Sequence, residues 1–135
     1  MPRCNNWPSA LIAFILSKQF VPFKWGENDC CLFAADWVKC ALGYDPAATF
    51  RSAYDSALGA QRLLGQLGGV EAIADAHFSR NKAIAYTRRG DLISFRRDDD
   101  TLALGVCEGA NGVFPSVEGI IRFPVLAGQT SWRVD

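Results

Sequence analysis

Two adjacent residues, Asp29 and Cys30, carry the clearest chemical signal in the sequence. Asp29 is a good N-cap, and the run from Cys30 to Ala41 contains no Gly or Pro, with Gly43 placed to end it. Cys30 therefore stands as the first residue inside a helix. Free backbone N–H groups and the positive end of the helix dipole favour a thiolate at that position. A thiolate is the reactive form of cysteine, so this is where a nucleophile is built. The same position also suits a small buried apolar residue.

A nucleophilic thiol needs a base within reach, and the chain has one histidine, His77. It falls near the end of a short helical stretch, before the strands begin, and reads as an ordinary, partly exposed side chain. The other cysteines are Cys4, Cys31, Cys40 and Cys107, and no two are spaced C-x-x-C. That disfavours zinc-ribbon and thioredoxin-type motifs. Cys30 and Cys31 are neighbours in sequence and poor chelators as a pair. The expectation is free thiols, with no metal and no cofactor.

The elements that must position Cys30 follow from patterning. Asn6 and Pro8 open a first helix with Leu11, Phe14, Ile15 and Lys18 on one face. Pro22 and Gly26 break the chain after it. The second helix carries the stripe Cys30, Phe33, Ala34, Trp37, Val38 and Ala41, and Tyr44-Asp45-Pro46 turns the chain. A third helix is expected over 52–67, closed by Gly68-Gly69, and a short fourth over 71–77. Strands are expected at 92–95, 102–107, 112–114 and 119–123, joined by Gly, Asn and Asp turns. Segregated helices and antiparallel strands define the α+β class.

At 135 residues, half of them hydrophobic, residues 1–135 read as one domain with a sizeable core. Fourteen basic residues balance fourteen acidic ones. That balance argues against a nucleic-acid binder, and the pairs Arg88-Arg89 and Arg96-Arg97 read as solvated turns. The apolar run 11–16 is too short to span a membrane, and no secretory leader is recognisable. A near-zero net charge does little to keep molecules apart and is compatible with life in an assembly. Pro22-Phe23 and the segment Ser131-Trp132-Arg133-Val134 are read either as docking surfaces or as packing.

The run Trp25-Gly26-Glu27-Asn28-Asp29-Cys30, continued by Leu32-Phe33-Ala34-Ala35-Asp36-Trp37-Val38, resembles the Asp-Cys helix start of the NlpC-type cell-wall peptidases. These belong to the papain-like cysteine hydrolases. The segment Arg89-Gly90-Asp91-Leu92-Ile93-Ser94-Phe95 is similar to that family's Gly-Asp-Leu strand. More narrowly, these motifs and Ala103-Leu104-Gly105-Val106-Cys107 resemble small proteins encoded in tailed-phage tail gene clusters. The resemblance covers most of the chain. It implies a papain-like fold, with N-terminal helices packed on a C-terminal antiparallel sheet, and Cys30 at the nucleophile position. The family's histidine falls on Ala103, which cannot take a proton, and its third polar residue falls near Phe114-Pro115-Ser116.

The resemblance thus implies a degenerate site of Asp29, Cys30, Ala103 and Cys107. Alternation sets Ala103, Gly105 and Cys107 on one strand face, expected to look toward the cysteine helix with Cys30 and Cys107 close together. The leading expectation is a structural component of a phage tail tip or baseplate. It would be made in the host cytoplasm and carried in the virion tail, in several copies among other tail proteins. Two alternatives stay open. One is a cysteine hydrolase acting on peptidoglycan peptides through Cys30. The other is a tail-assembly factor absent from the finished particle.

Overall fold

The computed structural model describes residues 2–135. Four helices, α1 (Trp7–Lys18), α2 (Cys30–Leu42), α3 (Ala57–Leu67) and α4 (Val70–His77), precede five strands. The strands are β1 (Leu92–Arg96), β2 (Leu102–Cys107), β3 (Asn111–Ser116), β4 (Gly119–Pro124) and β5 (Thr130–Trp132). They form one antiparallel sheet in the order β4-β3-β2-β1-β5, so the last strand returns to the free edge of the first. The architecture is α+β, as patterning predicts.

Helix α2 is the centre of the molecule because it is apolar on nearly every side. Phe33, Trp37 and Val38 are fully buried with Phe14 of α1 and Leu104 and Val106 of β2. Leu32 and Ala35 bury on the opposite side against Ala47 and Phe50. Its polar exceptions are Lys39 and Cys40, which face solvent, and Asp36, which pairs with Lys18 and Arg51. Its ends are well made: Asp29 accepts from the Leu32 N–H at 3.0 Å, and Gly43 closes it at φ +83°. At α1, Asn6 holds the cap position but its side chain makes no capping bond.

Several boundaries differ from expectation for local reasons. Helix α3 starts at Ala57 rather than near Ser52, because Ser52 sits at φ +66° and Ser56 supplies the cap by accepting from the Gly59 N–H. Strand β5 carries almost no periodic signal in three residues, yet it pairs with β1 and buries Trp132 completely. In the 131–134 segment Ser131, Trp132 and Val134 are buried packing residues, and only Arg133 is exposed.

The orientation of β2 is a correction. Leu104 and Val106 face the cysteine helix, while Ala103 and Cys107 pack on the far face of the sheet with Ile93, Phe95 and Phe114. The lack of a side chain at Gly105 serves the same far face. A Cβ there would collide with the Val113 carbonyl and the Phe114 ring. Small residues on β2 thus admit Phe114, not the helix.

Candidate functional site

Cys30 sits on the first turn of α2, 8% exposed, and lines two cavities. The smaller, about 50 Å³, is bounded by Trp25, Asp29, Tyr54, Leu63 and Arg97. The larger is a groove of about 400 Å³ that opens over the end of the sheet between Phe95, Ala103, Phe114, Pro115 and Phe123. Arg96, Arg97 and Asp98 form its polar rim. Three aromatic rings cluster along it, Phe95 meeting Phe114 edge-to-face at 4.8 Å and lying tilted to Phe123 at 5.4 Å between centroids.

Asp29 is committed to structure. One carboxylate oxygen caps α2, and the other accepts from the Gly26 N–H at 3.0 Å and from the Tyr54 hydroxyl at 2.5 Å. Burial, and then the bond to Asp29, push the Tyr54 phenol far above its usual range, so Tyr54 stays a donor. Gly26 makes this loop possible: it lies at φ +80°, and a Cβ would meet the Tyr54 carbonyl.

The Cys30 thiol is lowered from an ordinary 9.0 to about 7. The main cause is the adjacent Cys31 thiol, with smaller help from the Leu104 backbone and the charge of Arg97; burial and Asp29 oppose it. Cys31 moves the other way, raised well above 9.0 by its neighbour Cys30 and by burial. The two neighbouring thiols therefore divide into one poised to ionise and one held protonated.

This division has a measurable sign. A thiol reacts as its thiolate, so Cys30 labelling by a small alkylating reagent is expected to reach half its limiting rate near pH 7 and fall below that pH. A thiol left at 9.0 would be only about one part in a hundred ionised at pH 7. Mass spectrometry of peptides labelled at stepped pH, with Cys30→Ser as the blank, reads the profile. A midpoint near 9 would remove the assigned stabilisation of the thiolate.

The structure brings some of the sequence-derived site residues together and separates others. Cys30 shares the smaller cavity with Asp29 and the groove with Ala103. Cys107 does not join them: its thiol donates to the Gly109 carbonyl at 3.3 Å on the far face of the sheet. The expected proximity of Cys30 and Cys107 is thus wrong, for the same reason that Leu104 and Val106 face α2. Ser116 is also elsewhere, its hydroxyl closing the β3–β4 hairpin by donating to the Gly119 carbonyl. Pro115, one residue earlier, lines the groove instead.

His77 is exposed beside Tyr44 and Phe78 and borders neither cavity at Cys30. Tyr54 and Arg97 are site residues that patterning does not reveal. Arg97 belongs to a basic pair that reads as a solvated turn, and Tyr54 comes from a loop 25 positions away from its partner Asp29. Among the described residues, no three His, Cys, Asp or Glu side chains gather as metal ligands.

The chain is thus an α+β domain in which a capped cysteine helix lies against an antiparallel sheet. It belongs to a family described as a domain of unknown function, DUF6950, whose model matches residues 2–134. No curated protein matches it. Among the described residues, no helix is long and apolar enough to cross a membrane.

Proposed function

We propose that this protein is a structural or assembly component of a bacteriophage tail tip or baseplate, built on a papain-like, NlpC-type domain that has lost hydrolysis. The observation that carries the reading is the wall of the groove at Cys30. At the position where the sequence resemblance sets the peptidases' histidine, this groove is lined by the methyl group of Ala103, with Phe95, Phe114 and Pro115. Asp29, the carboxylate beside the thiol, is consumed by its cap and by Tyr54. A cysteine unit without its base loses several powers of ten in rate.

On this reading the domain acts by holding other tail proteins, in the virion tail, without nucleic acid. Its exposed apolar side chains agree with a life among partners. Ile12 and Leu16 stand four residues apart on α1, and Phe20, in the turn just past its end, is 82% exposed. A second reading, a cysteine hydrolase on peptidoglycan peptides, draws on the lowered Cys30 thiol.

Purified tailed particles made by a genome that encodes the chain test the proposal. The chain is expected in them at a fixed copy number, read by quantitative mass spectrometry. Its absence from particles whose formation needs its gene would replace the structural role with that of a transient factor.

A further inference from the structure

The segment joining α4 to β1 is held by a buried polar network that the Cys30 site does not use. Asp91 is fully buried and spends both oxygens. One takes Arg3 at 3.0 Å, and the other takes the Asn81 amide at 3.1 Å and the Arg88 backbone N–H at 2.9 Å. Ser131, also buried, receives Asn81 at 2.8 Å and Thr87 at 2.7 Å through its hydroxyl. Backbone bonds from Asn81 to Ser131 and from Arg133 to Ser79 lay residues 79–81 beside β5.

This arrangement gathers cations and withholds their counterions. Arg80, Lys82, Arg88 and Arg133 line one cleft of about 430 Å³ together with Asn81 and Tyr86. Arg80 is paired with Asp75 and lies over Trp132, so it forms a fixed wall. Lys82, Arg88 and Arg133 are exposed, and among the described residues none has a carboxylate within ion-pair distance. Asp91 cannot serve them, because its oxygens are already filled from below. Asp135 faces a neighbouring cleft with Arg3, Arg88 and Arg89.

We propose that this cleft is a docking site for an acidic segment of a partner protein. Guanidinium groups match carboxylates in paired hydrogen bonds. Tyr86, 65% exposed among the cations, supplies the Tyr and Arg composition that protein-interface hot spots favour. Nucleic acid is a poorer fit. The free cations sit in one compact cleft rather than along a stripe, and the chain has no basic excess. The inference does not rest on the phage-tail reading.

Fluorescence anisotropy with a labelled short peptide of alternating Asp and Glu tests it on the full chain, at about physiological ionic strength. Saturable binding is expected, weakened about tenfold or more by the double variant Arg88→Glu/Arg133→Glu, because like charges now oppose. Lys39→Glu, which reverses an exposed charge on α2, is expected to bind as the parent does. Thermal melts of each variant show that the fold persists. The proposal is overturned if the peptide does not saturate, if Lys39→Glu weakens it equally, or if a short oligothymidylate or pyrophosphate competes more tightly than the peptide.

Discussion

Replacing Trp37 by alanine is expected to remove about 3–5 kcal/mol of folding stability, the largest loss from any single side chain of α2. Trp37 is fully buried between α1 and the sheet, with the Phe14 ring 5.8 Å away. Its indole N–H donates to the Gly90 carbonyl at 2.8 Å, tying the cysteine helix to the turn that starts β1. Alanine opens a cavity at the centre of the main core and leaves that buried carbonyl without its partner. Domains of this size have about 5–15 kcal/mol in total, so much of the margin disappears. Guanidinium titration should show the loss, with a fall in Tm of roughly 10–20 °C. Phe20→Ser, on an exposed side chain, should change stability by no more than about 0.5 kcal/mol. If the two variants melt alike, Trp37 does not hold the core.

Asp91→Ala is expected to cost about as much, by a different mechanism. The Arg3 side chain is only 12% exposed, and its guanidinium also donates to the Val134 and Arg89 carbonyls. Removing the carboxylate strands a largely buried positive charge, which costs about 3–5 kcal/mol when the partner stays. It also frees Asn81 and the Arg88 N–H, so the loop before β1 and both chain ends lose a shared anchor. Because the penalty belongs to the stranded charge, the double variant Arg3→Met/Asp91→Ala should lose less than the sum of its single changes. Strict additivity in denaturant titrations would show that the pair does not act as a unit.

These effects explain which parts of the fold are legible in sequence. Helix α2 is legible because cap, apolar run and closing glycine all agree over thirteen residues. Strands β1 to β4 are legible because Gly, Asn and Asp punctuate short apolar runs. Gly90-Asp91 stands out by resemblance, and the structure gives its reason. Gly90 lies at φ +87° with the Arg3 guanidinium where a side chain would be, and Asp91 answers that charge. Arg3 itself is silent in sequence, since nothing local distinguishes a buried arginine near a terminus from a solvated one.

The candidate site is legible only in part. Asp29 and Cys30 announce themselves through helix-start chemistry, which is local. Ala103 is marked by resemblance, and the groove it shares with Cys30 is a tertiary fact. The facing of β2 could not be read from alternation, because Leu102-Ala-Leu-Gly-Val-Cys107 is apolar on both sides and either register buries well. The large residues won the helix side and the small ones received Phe114. Arg97 and Tyr54 reach Cys30 from a turn and a loop, where spacing carries no information about direction.

The central proposal is that Cys30 is a lowered thiol in a groove walled by Ala103, where the resemblance sets a histidine, and that the domain does not hydrolyse peptidoglycan peptides. Release of soluble muropeptides from purified peptidoglycan, followed by mass spectrometry at neutral pH, tests it most directly. The protein and its Cys30→Ser variant are predicted to leave the substrate equally intact over hours. Turnover by the parent chain that vanishes in Cys30→Ser would contradict the claim and make this domain an enzyme.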